Sequence, residues 1–257
     1  MRFTQAADCP PKRGNFNVPV LIGLQLTLPA ILMATIGIGV GTLDALRNGR
    51  RRAEVAALIA WLAAPIGAVV LMGSTLYGNF RQLLFITPPL FVFAGITLEL
   101  LLGRLRSRVA QAAVAALVLA PGILGIAQLH PYEYVYYNRL VGGVRGAFRS
   151  YELDYWCTSY REAMEWINEA APARAEIAAA PPELVASHFA RPDLLVFYAQ
   201  EPDDLVGRDP TLGLGCGRGN NDIGFFPGSP VVAEVAVDGA RLAVVRDLHS
   251  LRAPAGE

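Results

Sequence analysis

Charge is missing from four long stretches of this 257-residue chain: residues 18–43, 55–80, 82–98 and 109–129 contain no Asp, Glu, Lys or Arg. A buried helix of a water-soluble domain rarely lacks a polar face for so long, so an ordinary soluble fold is excluded for this half. Lysine is almost absent as well. Lys12 is the sole example, and the other twenty-one cations are arginines, which coding bias accounts for as readily as any mechanism. The three cysteines, Cys9, Cys157 and Cys216, lack metal-type spacing,. The three histidines, His130, His188 and His249, are scattered, and no zinc signature, P-loop or nucleophile elbow occurs,. Basic residues do not alternate with aromatics in a patch, so nucleic acid is not an expected partner,.

What the chain does have is apolar mass, 53% by residue with a mean hydropathy of +0.37, and two unlike halves. Before His130 eleven Lys/Arg stand against four acids, Asp8, Asp44, Glu54 and Glu99, for a charge of +7; from His130 onward eighteen acids meet eleven arginines, for −7. The net charge of zero is a cancellation between regions suited to different environments,. A helix needs about 20 apolar residues to cross the hydrocarbon core. The expected fold class is therefore an α-helical membrane bundle of four transmembrane helices, near 18–43, 55–80, 82–102 and 109–129, followed by a small α/β extracytoplasmic domain. None of the runs has the form of a cleaved signal peptide. Pro29, Pro65 and the pair Pro88-Pro89 predict kinks in the first three spans,.

Orientation follows from the short connections. Arg47, Arg50, Arg51 and Arg52 lie between the first two runs and Arg104, Arg106 and Arg108 between the last two, whereas the middle connection holds only Arg81. Seven arginines against one predict that the Arg-rich loops are cytoplasmic. The N-terminal tail (1–17), the loop around Arg81 and everything after Leu129 are then outside. A tail bearing Arg2, Lys12 and Arg13 is poorly suited to that side, which gives the expectation that further membrane spans belong upstream.

The last run opens into "HPYEYVYYN", His130 to Asn138, with Tyr132, Tyr134, Tyr136 and Tyr137. Tyrosine gathers at membrane–water interfaces, its ring among headgroups and its hydroxyl in water. Residues 130–150 are thus expected to form an interfacial segment, denser in tyrosine than anchoring alone requires. Residues 151–257 carry α/β signals. A helix within 151–172 is capped by Thr158 or Ser159; "ARAEIAAA" reads as a strand, "PPELVASHF" as a helix and "DLLVFYAQ" as a buried strand. Two β-rich segments flank Asp238-Gly239 as a hairpin. "GLGCGRGNND" reads as a flexible turn, because neither flank suits a dinucleotide loop. Cys157 and Cys216 share this half and either pair in an oxidising compartment or remain separate thiols. Glu152 and Asp154 lie beside Tyr155 and Trp156, an arrangement that binds a sugar, supplies a base or merely solvates a turn.

Arg81 opens the third run in "YGNFRQLLFITPPL". Such an arginine snorkels to the interface by default, and its guanidinium also suits a lipid-linked phosphate. Together, "YGNFRQLLFITPPLFVFAG" and the segment from "HPYEYVYYN" to Asn168 resemble the C-terminal half of bacterial integral-membrane glycosyltransferases of the GT-C superfamily, similar to protein O-mannosyltransferases and aminoarabinose transferases. The resemblance runs from about Asn17 onward and is most specific from Arg81 to Asn168. It implies a multi-pass protein of the bacterial plasma membrane and a polyprenyl-phosphate sugar donor. It also implies an acceptor on the outer face and inversion at the anomeric carbon. Arg81 is then the donor-phosphate residue, and His130, Tyr132, Glu133, Tyr136, Tyr137 and Asn138 form the sugar or acceptor region. Members carry their catalytic acid in the first outer loop, for which the only upstream acid, Asp8, is no match. Inverting transfer needs such a carboxylate, so the chain is expected to be incomplete as a catalyst, with a second chain as a candidate source of the missing half. A divalent metal is the one cofactor this chemistry leaves open. The competing expectation is a non-catalytic membrane scaffold or partner subunit with an extracytoplasmic binding domain. A transporter is disfavoured because charge within the runs is scarce.

Overall fold

The computed structural model of the chain describes residues 17–49, 51–73 and 79–249. Arg2, Asp8, Cys9, Lys12, Arg13 and Arg50, all used above, lie outside them. Two compact units meet in sequence between Gly143 and Val144.

The first unit is helical, and four of its helices are long and apolar enough to cross a membrane. Its elements are α1 (Asn17–Gln25), α2 (Leu28–Asn48), α3 (Arg52–Met72), α4 (Thr87–Gly103) and α5 (Arg108–Leu129). A 3₁₀ helix, Asn79–Ile86, leads into α4, and the two together make the third long apolar element, Arg81–Gly103. The first apolar run is not one helix. It breaks at Leu26 and Thr27, and α2 then continues past Leu43 and Asp44 to Asn48. Pro29 lies in the first turn of α2, where its missing N–H costs nothing,. Pro88 and Pro89 likewise begin α4 instead of kinking it. Pro65 does lie inside a helix, as does Pro121 in α5.

Small residues let α2 and α4 approach closely. Ala34, Gly37, Gly41 and Ala45 are the buried face of α2, against Pro89, Leu90, Phe93 and Thr97 of α4. A Cβ at Gly37 would fall 1.8 Å from the Phe93 carbonyl oxygen, so only glycine fits there,. The Thr97 hydroxyl donates to the Met33 carbonyl at 2.7 Å, satisfying within the contact a donor that hydrocarbon could not. Among the described residues α3 buries none and α5 only Leu129. Leu71, Leu117 and Ile123 are exposed on them, at 87%, 73% and 61%. Apolar surface of that extent is at rest only in an apolar medium or against further helices. At the helix ends the polar residues close open carbonyls. Arg52 donates to Ala45 and Leu46, Arg104 to Leu100, and Gln111 to Leu102 and Leu105,.

The second unit is α/β, with α6 (Gly143–Ala147) at its start, then α7 (Tyr160–Ala170), β1 (Glu176–Ala179), α8 (Glu183–Phe189) and β2 (Leu195–Tyr198). β3 (Pro210–Cys216), α9 (Asn221–Gly224), β4 (Val231–Val237) and β5 (Ala240–Asp247) complete it. The five strands form one sheet in the order β2-β1-β3-β5-β4. β1 pairs parallel with both β2 and β3, whereas β3, β5 and β4 run antiparallel in turn. The apolar face of α7 supplies Tyr160, Ala163, Met164 and Ile167, all buried; it packs on β3, β4 and β5. Each large apolar chain so buried contributes about 1.5–3 kcal/mol. Ala178, Ala180, Ala199, Phe225, Phe226 and Leu248 form a further buried cluster. The Tyr160 hydroxyl donates to the Ala180 carbonyl at 2.8 Å, tying helix to sheet.

Three local expectations need correction. β2 is a half-exposed edge strand, with Leu195 and Tyr198 at 47% and 45%, because no strand among the described residues pairs with its far side. The Gly213–Cys216 part of the glycine-rich stretch is central strand, not turn. Glycine is required there by crowding: a Cβ at Gly215 would lie 2.8 Å from the Asn221 carbonyl oxygen, and one at Gly213 would press on Leu248 and Phe225,. Third, neither Thr158 nor Ser159 caps α7 through its own side chain. The buried Asp154 carboxylate instead holds the turn that leads into α7, accepting from both backbone amides and from the Ser159 hydroxyl. The Asp238-Gly239 hairpin matches its expectation, both residues having positive φ, 48° and 73°,.

Candidate functional site

Two places gather chemistry-bearing side chains, one in each unit. In the helical unit it is the segment after α5. Asn138 is 2% exposed and belongs to the fold. Its side-chain amide donates to the carbonyls of Gly23 and Leu26 at 2.6 and 2.8 Å, and its backbone N–H donates to Leu24 at 2.7 Å. It thus closes the open carbonyls where α1 breaks from α2, and its side-chain oxygen accepts from Leu140 at 3.0 Å. Tyr132 and Tyr137 are also buried, at 5% and 2%. Tyr136 is half-buried with its ring against Gly125, where a Cβ would lie 3.0 Å away; burial pushes its hydroxyl pKa up.

Two members of the segment face solvent together. His130 Nδ1 and a Glu133 carboxylate oxygen are 2.6 Å apart, with side chains 74% and 39% exposed. Glu133 is held below the usual carboxylate range, first by its own backbone amide and then by His130. Arg81 is exposed, and the 3₁₀ helix that carries it packs on α1. The single turn Arg139–Val141 packs on α1 too. One short helix therefore touches both the element bearing Arg81 and the end of the tyrosine segment. Of the seven residues expected there, Tyr132, Tyr137 and Asn138 are committed to packing, while Arg81, His130, Glu133 and Tyr136 remain accessible.

The second place lies in the α/β unit and separates the Glu152–Asp154 pair. Asp154 is fully buried, holding the turn that leads into α7. Burial raises its pKa, against the opposing bonds from Ser159 and Thr158. Glu152 instead lines a shallow depression open to solvent, together with Phe148, Arg149, Tyr151, Leu153, Gly217, Asn220 and Arg241. Partial burial pushes the Glu152 carboxyl up, with Arg218 working in the opposite direction. The arginines are held in place from behind. Arg149 makes a two-toothed contact with the buried Asp222, reaches Asn220 at 3.0 Å, and lies over the Phe148 ring at 4.3 Å. Arg241 is paired with Glu234 at 3.0 Å. Arg218 stacks on Tyr155 at 4.4 Å. Behind them the buried Arg246 donates to the Ser229 and Asp222 carbonyls at 2.8 and 3.0 Å.

A disulfide between Cys157 and Cys216, with Cα atoms 5.6 Å apart, resolves the alternatives left open for these cysteines. It ties the loop after Glu152 to the end of β3, beside Gly217, and so joins the two walls of the pocket. Glu152 was visible in sequence as an acid among aromatics. Arg149, Asn220 and Arg241 were not, because only the sheet register and the α9 turn bring them to it.

Among the described residues no three His, Cys, Asp or Glu side chains cluster as a metal site. Comparison with protein-family models, curated proteins and solved structures found no match in any of the three.

Proposed function

We propose that this chain is the C-terminal part of a membrane glycosyltransferase that moves a sugar from a polyprenyl-phosphate donor to an acceptor on the outer face of the membrane. The observation that carries the proposal is the common support of the Arg81 helix and the tyrosine segment by α1. In this arrangement Arg81 holds the donor phosphate by paired N–H donors. The His130–Glu133 pair and Tyr136 offer hydroxyl and carboxylate partners to a sugar or acceptor. The catalytic acid comes from upstream sequence or from a second chain. The arginine-rich helix ends face the cytoplasm, in keeping with the positive-inside rule. The Cys157–Cys216 disulfide fits an α/β unit in an oxidising, extracytoplasmic compartment,.

The test is sugar transfer in proteoliposomes by the protein as its host makes it. Charge-assisted hydrogen bonds are worth about 1.5–3 kcal/mol each, so Arg81→Ala should cut transfer by about 10- to 100-fold. Arg81→Lys should recover part of that loss. Full activity in Arg81→Ala would remove the phosphate role. The pocket around Glu152 favours a second proposal, a non-catalytic membrane subunit whose outer domain binds a ligand. A wild-type protein that binds but never transfers, alone or with a co-purified partner, would favour it over the first.

A further inference from the structure

We infer that the pocket bounded by Arg149, Glu152 and Arg241 in the α/β unit is a binding site for a sugar carrying one anionic group, distinct from the site proposed around Arg81. Four arginines converge on it, since Arg149 and Arg241 line it, Arg218 adjoins Glu152, and Arg246 lies beneath. The acids among them are Glu152, Asp222 and Glu234. One positive charge is in excess, in a half of the chain whose overall charge is −7. That local reversal suits a single oxyanion. A bare anion would be repelled by the Glu152 carboxylate, whereas a sugar places hydroxyls there while its anionic group meets the guanidinium groups. Phe148 and Tyr151 supply the aromatic surface on which the C–H face of a sugar ring rests,. The site is built rather than incidental, because each lining arginine is fixed by an acid behind it and the disulfide joins the walls. Phosphate and carboxylate present the same chemistry to these arginines.

The test is calorimetric titration of the full chain in detergent micelles with four probes: glucose 1-phosphate, glucuronate, glucose and inorganic phosphate. The inference predicts that at least one of the anionic sugars binds at least tenfold more tightly than both glucose and inorganic phosphate. Which one does so identifies the group recognised. Arg241→Ala should weaken that binding by tenfold or more, because Arg241, at the start of β5, is partly exposed and its replacement removes a lining cation. Equal binding of sugar phosphate and inorganic phosphate would overturn the inference, as would binding of neither anionic sugar by folded wild type. Unchanged affinity in Arg241→Ala would overturn it too. If that variant does not fold, the four-probe comparison on wild type decides alone. Because Arg81 takes no part, loss of sugar transfer in Arg81→Ala with retained titration separates this site from the donor site.

Discussion

Single residues here carry structural work that their chemistry disguises. Asn138 and Asp154 both look like site residues in sequence, being polar side chains set among aromatics. Each instead closes open backbone groups, Asn138 at the α1–α2 break and Asp154 at the start of α7. Leaving a buried backbone group unsatisfied costs about 1–3 kcal/mol, so Asn138→Leu, which strands the Gly23 and Leu26 carbonyls, should lower the melting temperature in detergent by several degrees. Thermal unfolding followed by circular dichroism measures this, and an unchanged midpoint would mean those carbonyls find other partners. Glu152 behaves in the opposite way. Its folded pKa is raised by burial. Its contribution to stability is therefore fully present below the unfolded carboxyl pKa, about 4.3, and is lost as pH rises through the folded value. At pH 7 the wild type bears the cost of a partly desolvated carboxylate that Glu152→Gln does not. The variant should melt higher than wild type at pH 7, and the difference should vanish near pH 4. A variant that melts lower at pH 7 would show that Arg218 outweighs burial.

Elements were legible where their cause is local. The four apolar runs, the Asp238-Gly239 hairpin and the β1–α8–β2 order follow from periodicity and turn chemistry written in consecutive residues. What was not legible depends on neighbours distant in sequence. The break after Gln25 is held by Asn138, more than a hundred positions away, and the central place of β3 comes from pairing with β1 and β5. Its alternating glycines resemble a loop until Phe225, Leu248 and the Asn221 carbonyl are seen to fill the space a side chain would take. The same crowding makes a prediction for α2. Gly37→Leu drives a side chain into the Phe93 carbonyl, so α2 and α4 must separate. The loss should be at the upper end of about 1–3 kcal/mol for overpacking, read as a drop in detergent melting temperature. Gly39→Leu, at a position with no atom within 4 Å of the added Cβ, is the control that should leave it unchanged.

At the scale of the molecule, an apolar helical unit is joined to an acidic α/β unit stapled by one disulfide. The bridge closes a loop of 59 positions and crosses the walls of the Glu152 pocket. Removing a native disulfide from a small domain costs about 2–5 kcal/mol. Cys157→Ser with Cys216→Ser should therefore lower the melting transition of the α/β unit and weaken any ligand of the pocket, measured by thermal unfolding and by the same titrations. The pocket could not be read from sequence at this scale, because its arginines lie on α6's exit loop, on the turn after β3 and on β5. The class of the helical unit could be, because four long uncharged runs specify four helices apolar enough to cross a membrane.

The central claim is that Arg81 meets the phosphate of a membrane-borne sugar carrier. Native mass spectrometry of the detergent-released protein, incubated with a short polyprenyl phosphate, tests it most directly and needs no complete catalyst. The account predicts a one-to-one adduct with the wild type that falls at least tenfold in Arg81→Ala and is unaffected by Arg241→Ala. Equal adducts in the wild type and Arg81→Ala, or none in either, would contradict it.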